Sequence, residues 1–463
     1  MVRRFRVYQN SGFIIGSHSP LPKESDVLRG LASHVMEISC SPKMDERKAA
    51  WKASNDGNSF RPVIMVETFA IKGFKDESML VCEDPYLRDV EKSLREMIRH
   101  YKEIDDDYVI EPYYRLPWKV RGTGYGVDLG EKHAIDSKGG STGYSYDYAI
   151  KTIEDLNKLE HNEFIVFRED THVLNDKLFQ AMGDVMPIKL GGIDAIFAEW
   201  EGIFNINDDA INKDGTRRYV GYTPFLGAYF VGVAMSLYKL LGNDHLVFWC
   251  FDHPETMHEI AKFIADDRIK YFDWLEKEDL LVQNTDNQII GSGPFGYDSV
   301  LEKSLPKNGK CTLKNIWGWA EAQEAEIFSP DMFDEFILPY LAQVSNKFGK
   351  ITYGCCERID DRLERVLKKI NNVSSVAVSP WNDDKIISEI VGKKFGYCRK
   401  IFPSYISGES MPAWDKMEQE IRSIFEATKN CNLQIVVRDV YDVNEDFNRL
   451  SKWAKMTRNI LGI

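Results

Sequence analysis

The sequence predicts an α/β barrel in which parallel strands alternate with helices. Three observations predict it. First, the last third of the chain carries four short, apolar, β-branched runs: Ile351 to Glu357, Val373 to Trp381, Phe395 to Lys400 and Leu433 to Tyr441. Each core is about 4–8 residues, the length of a buried strand and too short for a helix. Second, the intervals leave room for the crossover helix that parallel pairing requires. Third, the runs end in reactive or charged residues, as barrel strands do where chemistry collects at their C-terminal ends.

The elements follow in chain order. Residues 1–104 read as a mixed lead-in, with helical stretches at Asp45 to Lys52 and Tyr86 to Tyr101; in the second, Leu87, Val90, Leu94, Met97 and Ile98 keep helical period. Residues 105–463 read as the barrel. Its first strand is Tyr108-Val109-Ile110, entering Glu111-Pro112-Tyr113, and further runs are Met186 to Leu190, Leu281 to Gln283 and Asn315 to Ala320. With the four C-terminal runs these make eight, although Phe164 to Phe167 and Ala195 to Ala198 compete for places. Ser329-Pro330-Asp331 opens a helix with an N-cap serine, a proline at the first helical position and an early carboxylate, and Asp252 precedes a similar start at Pro254-Glu255. The Gly-, Ser- and Asp-rich stretch from Arg121 to Tyr146 reads as a loop, either a substrate wall or a surface excursion.

Composition bounds the function. With 463 residues, 43% hydrophobic and 12% aromatic, the chain can bury one large core, since barrels of this kind exceed the usual domain size. A net charge of −13 argues against a sequence-independent grip on nucleic acid, which needs clustered Lys and Arg. The eight cysteines have no C-x-x-C spacing, and adjacent Cys355 and Cys356 are poorly disposed for a mutual disulfide, which fits a reducing cytoplasm. After Arg3, Arg4 and Arg6 the apolar stretch is only Phe13-Ile14-Ile15, too short for a secretory segment or a membrane span.

Two glycine patterns carry little. Gly291-Ser292-Gly293-Pro294-Phe295-Gly296 spells the dinucleotide fingerprint, but its proline and the lack of a helix opening on the third glycine spoil that context. Gly122 to Gly126 fares no better, and no phosphate-binding G-x-x-x-x-G-K-[ST] loop exists.

The strand ends are more informative. Cys355-Cys356-Glu357 sets thiols beside a carboxylate, so Cys356 and Glu357 are candidate zinc ligands; a third would come from Glu321, Asp439 or Cys398, and packing is the bland alternative. Arg399, Lys400 and Arg438 are expected to hold an anionic substrate, unless they pair with Asp439, Asp442 or Glu357. Glu321 and Gln323 follow another strand and are candidates for proton transfer and substrate orientation, with Asn284 and Trp381 at further strand ends as substrate contacts. Glu357, Asp439 and Tyr441 complete the catalytic candidates. His133, His253 and His258 read as ordinary loop or helix residues.

Taken together, Ser329-Pro330-Asp331-Met332-Phe333-Asp334-Glu335-Phe336-Ile337-Leu338-Pro339-Tyr340, Tyr353-Gly354-Cys355-Cys356 and Asp252-His253-Pro254-Glu255 resemble the uroporphyrinogen decarboxylase superfamily. The resemblance covers about residues 105–463 and implies a (β/α)8 TIM barrel, often dimeric, with its site at the C-terminal strand ends. The arginine-rich loop and first-strand aspartate of the true decarboxylases are missing, and the first strand runs instead into Glu111-Pro112-Tyr113. The corrinoid-dependent methyltransferase branch is similar in its cysteine, which maps onto Cys356. Gly354 stands where that branch has a zinc-binding histidine, and Val437 to Val443 contains no second cysteine. A zinc site would then need Glu357 and Asp439 as substitutes.

Three functions follow as expectations. The first is a methyltransferase moving a methyl group between a small methylated, anionic substrate and a corrinoid protein or similar carrier, with zinc or a general acid, Glu321 or Glu357, activating the leaving group. The second is a decarboxylase of a small carboxylate, held by Arg399, Lys400 and Arg438, with Asp439 or Tyr441 managing the proton. The third is a binding barrel that has lost its chemistry. A cytoplasmic homodimer is expected in each case.

Overall fold

Short β-branched runs followed by helices build the core, and a computed structural model of the chain describes residues 19–135, 141–193, 216–219 and 224–463. The N-terminal part forms α1 (Pro22–Ser39), α2 (Pro42–Asn55), β1 (Val63–Val66) and α3 (Pro85–Glu103). Asp84 caps α3 by accepting from the Tyr86 and Leu87 amides. The middle of the chain contributes β2 (Tyr114–Leu116), β3 (Val120–Gly122), β4 (Leu129–Ile135), β5 (Ser141–Asp147), β6 (Phe164–Val166), α4 (Arg168–Met182), β7 (Ile188–Leu190) and β8 (Thr216–Tyr219). These strands pair in small sheets: β2 with β7, β3 with β6, and β5-β4-β8. Thus most of the stretch from Arg121 to Tyr146, read from sequence as a loop, is β-structure. Then come α5 (Val233–Asp252), α6 (Pro254–Lys277) and α7 (Ser299–Ser304).

The C-terminal part alternates as its sequence predicts: β9 (Trp317–Ala320), α8 (Pro330–Phe336), α9 (Leu338–Ser345), β10 (Lys350–Tyr353), α10 (Leu363–Lys369), β11 (Val373–Val378), α11 (Asp384–Val391), β12 (Gly396–Lys400), α12 (Trp414–Ala427), β13 (Asn432–Val437) and α13 (Asn448–Leu461). The Ser329 hydroxyl accepts from the Met332 amide at the start of α8, as the Ser-Pro-Asp start foretold. All five strands, with β1, form one parallel sheet in the order β1-β13-β12-β11-β10-β9, flanked by helices.

Two expected strands are not formed. Tyr108 to Ile110 lies outside any strand, because the preceding residues finish the edge of β1 with side chains: Asp107 accepts from the Ile64 amide at 2.9 Å and Asp106 from the Val66 amide at 2.8 Å. Leu281 to Gln283 is likewise irregular, and Met186 to Leu190 contributes only Ile188–Leu190, to a separate pair. Phe164–Val166, one of the competing runs, is a strand, while Ala195 to Ala198 lies outside the described residues. The stretch read as lead-in supplies β1, whose Val63 to Val66 pair in register with Gln434 to Val437.

Both faces of the sheet are buried. On one face Ile64, Val66, Ile351, Tyr353, Tyr397, Ile435 and Val437 join the cluster made with α10, α12 and α13. On the other, Val63, Met65, Cys398 and Val436 meet Phe295 and Tyr297. Those two aromatics belong to a hairpin closed by the Ile289–Phe295 bridge and by Ile290 N donating to Pro294 O. Here lies the glycine pattern discounted as a nucleotide loop. A methyl group on Gly291 would come within 2.7 Å of Thr352, and Gly293, at φ +123°, would place one 3.0 Å from the Cys398 sulfur. These glycines let a hairpin lie flat against β9, β10, β12 and β13.

Candidate functional site

A parallel sheet aims all its C-terminal ends the same way, so residues distant in sequence meet there. Glu67 follows β1, Glu321 follows β9, Cys355 and Cys356 follow β10, Lys400 ends β12, and Arg438 and Asp439 follow β13. Lys400 is the hub. Its buried ammonium donates to the Ser292 hydroxyl at 2.9 Å and to the Cys355 carbonyl, and lies 3.4 Å from the Cys356 sulfur. The Asp439 carboxylate approaches the same sulfur at 3.7 Å, and Cys355 Sγ is also 3.7 Å away. Asp439 holds a left-handed backbone, φ 59°, which is uncommon outside glycine and marks a constrained turn at the strand end.

These contacts set the protonation states. The Cys355 thiol donates to Cys356 and Lys400 stands beside it, so the Cys356 thiol is held below its ordinary value despite burial. Cys355, as the donor and buried, is pushed well above its own. Lys400 remains cationic: the two sulfurs outweigh the burial that opposes its charge. A thiol shifted toward its charged form beside one ammonium is the resulting arrangement.

Arg438 forms the second charged group. Its guanidinium donates to Glu67 at 2.7 Å with both side chains almost fully buried, and its Nε lies 3.8 Å from Asp439. Burial lifts the Glu67 carboxyl to about 7, with the repulsion of Asp439 adding to it and Arg438 and Lys400 opposing. Glu67 escaped the sequence reading because Val63 to Val66 was not read as a strand. The signal was present in an apolar run of four residues after Pro62 that ends in a carboxylate.

A third group consists of carboxyls. Glu321 is buried and accepts from the Gln323 amide at 2.7 Å through one oxygen. Burial and the neighbouring Glu324, Glu357 and Cys355 push it well above the ordinary carboxyl range, which favours its protonated form. Burial and Glu357 lift Glu324 to about 7. Glu357 is tied down: its carboxylate accepts from the Cys355 amide at 2.8 Å and the Ala322 amide at 3.2 Å. Phe230 and Trp319, with ring centroids 4.4 Å apart, pack against Cys355 and give this side an apolar wall.

Other expected site residues stand elsewhere. Arg399 is on the opposite face of β12 from Lys400, bound to Asp384 at 2.9 Å and near Glu420 at 3.4 Å. Asn284 spends its amide on the backbone of Trp317, the first residue of β9, at 2.9 and 3.0 Å, away from the C-terminal end. Trp381 is 62% exposed and rests edge-on against Phe402, Tyr441 is 64% exposed, and Gln323 is exposed.

The zinc expectation meets a poor donor set. Both Glu357 oxygens are engaged by backbone amides, and the cation beside the Cys356 sulfur is the Lys400 ammonium. Among the described residues no group of three or more His, Cys, Asp or Glu is placed to hold a metal ion. The residues present therefore do not fit zinc coordination, and no step below is routed through it.

No protein-family model matches the sequence. No curated protein matches it either. Among solved structures, a methyltransferase from Methanosarcina mazei resembles it with a TM-score of 0.45 and 11% identity, over 89% of this chain and 98% of that one. A likeness at that level carries no argument about chemistry, which must come from the side chains. Among the described residues no helix is long and apolar enough to cross a membrane.

Proposed function

We propose that the protein is a methyltransferase of the uroporphyrinogen decarboxylase type, its sheet part of a (β/α)8 barrel, acting as a cytoplasmic homodimer. It moves a methyl group between a small methylated anion and a carrier such as a corrinoid protein. The observation that supports this is the 3.4 Å contact between Lys400 and Cys356, which favours the charged form of a soft nucleophile, while Glu321 is shifted toward its protonated form. Arg438 and Lys400 attract the anionic group of the substrate. The Cys356 thiolate attacks the methyl carbon. A carbon–sulfur bond forms, the carbon–heteroatom bond breaks, and the heteroatom keeps the electron pair and takes the proton of Glu321. The corrinoid of a carrier would supply the stronger nucleophile needed to take the methyl group from sulfur, and Lys400 would stabilise the thiolate left on Cys356.

The test is a panel of small methoxy and N-methyl carboxylic acids with deuterated methyl groups, read by mass spectrometry of the Cys356 peptide. Label on Cys356, lost in Cys356→Ser, is the expected result. Turnover that persists unchanged in Cys356→Ser would overturn it.

Glu67 favours a second reading, decarboxylation. A carboxyl near 7 beside a guanidinium can protonate the carbanion left when a carbon–carbon bond breaks and carbon dioxide departs. Release of carbon dioxide that survives Cys356→Ser and fails in Glu67→Gln would select this reading.

A further inference from the structure

A cavity of about 900 Å³ lies away from the strand ends, along α13 between the end of α3 and the segment before α12. Six basic and three acidic side chains line it, in a chain whose net charge is −13. The acidic ones are already matched: Glu103 with Arg99 at 3.0 Å, Asp105 with Lys43 at 2.7 Å, and Asp446 with Arg449 at 3.5 Å. Lys102, Lys452 and Lys455 are exposed and have no carboxylate within 4.0 Å among the described residues. Lys452 and Lys455, three apart on α13, share a helix face. Apolar surface stands between these charges. Lys452 lies 4.1 Å from the ring centre of half-buried Trp414, and Met411 on the rim is 87% exposed.

Three unmatched cations around an indole and a methionine form a surface with both a charge and a contact requirement. The globally negative chain repels a long polyanion such as nucleic acid, whose charge extends well beyond the groove, whereas a short acidic segment meets only the local field. We propose that this groove docks an acidic segment of a partner protein, in which carboxylates meet Lys102, Lys452 and Lys455 and an apolar side chain covers Met411 and Trp414. The surface is independent of the strand-end chemistry and would stand if that reading failed.

The probe is a fluorescein-labelled peptide of glutamates around one central leucine, titrated with the full-length chain by fluorescence anisotropy. Binding is expected at low salt and should weaken roughly tenfold between about 50 and 200 mM sodium chloride as screening grows. The triple variant Lys102→Glu, Lys452→Glu, Lys455→Glu should lose tenfold or more of the affinity. A control with the same charge change at exposed Lys303, Lys307 and Lys310 should lose far less, with circular dichroism confirming that both fold. Absence of binding at low salt, equal losses in the two triples, or equal or tighter binding of a single-stranded oligonucleotide of the same charge would each overturn the proposal. Replacing the peptide's leucine by serine should weaken binding severalfold; no change would remove the apolar part of the claim and overturn it as stated.

Discussion

Glu67→Gln should leave stability almost unchanged at pH 5 and raise it at pH 8. Glu67 is 6% exposed, and its carboxyl accepts from Arg438 at 2.7 Å. Burial moves its carboxyl from 4.5 to about 7, so the charged form costs on the order of 3 kcal/mol relative to water. The sign follows from proton counting. Between 4.5 and about 7 the folded carboxyl holds a proton that the unfolded chain has released, so this contribution is full below 4.5 and is lost as pH rises through 7. Glutamine has nearly the same shape as the protonated acid and never ionises. Urea unfolding at the two pH values, read as midpoint at constant slope, should place the variant within about 1 kcal/mol of the parent at pH 5 and about 3 kcal/mol above it at pH 8. A variant that loses more stability at pH 8 than at pH 5 would refute the reasoning. It would mean that Arg438 outweighs burial and that Glu67 is simply one half of a charged pair.

Arg399→Met should destabilise the fold by about 3–5 kcal/mol, because it strands Asp384 and Glu420 without their buried cation, while Cys356 reactivity in the folded protein is unchanged; urea titration and thiol labelling check the two halves. Gly291→Val should cost at least about 1–3 kcal/mol, since its Cβ would already stand 2.7 Å from Thr352, and thermal melting reads the loss.

Much of the C-terminal architecture was legible, because the buried runs alternate with helical stretches, one of them opened by the capping Ser329-Pro330-Asp331 before α8. The facing of side chains was not. Gly396 to Lys400 is buried along its whole length, so no alternation of polar and apolar residues reveals which of Arg399 and Lys400 meets the site. Only the partners decide: Tyr397 and Arg399 reach Asp384, whereas Cys398 and Lys400 reach the hairpin through Ser292. β1 escaped for a related reason. A four-residue run between helices is a weak pattern by itself, and its partner β13 lies more than 360 residues away. The glycine hairpin was misleading in the opposite sense, because its spacing mimics a phosphate loop while its glycines serve close packing. Asn284 looked like a strand end and is a clamp on β9, since amide side chains can satisfy backbone groups as a neighbouring strand would.

The central claim is that strand ends from distant parts of the chain favour the charged form of Cys356, and thiol reactivity measures it directly. At 3.4 Å an ammonium favours a thiolate by up to about 5 kcal/mol at an effective dielectric of about 20. The pH dependence of iodoacetamide alkylation, resolved at the Cys356 peptide by mass spectrometry, should have its midpoint below the free-thiol value of about 8.5 in the parent and at least about two pH units higher in Lys400→Met. Lys400→Arg should lie between them. Coincident midpoints in the parent and Lys400→Met would contradict the account.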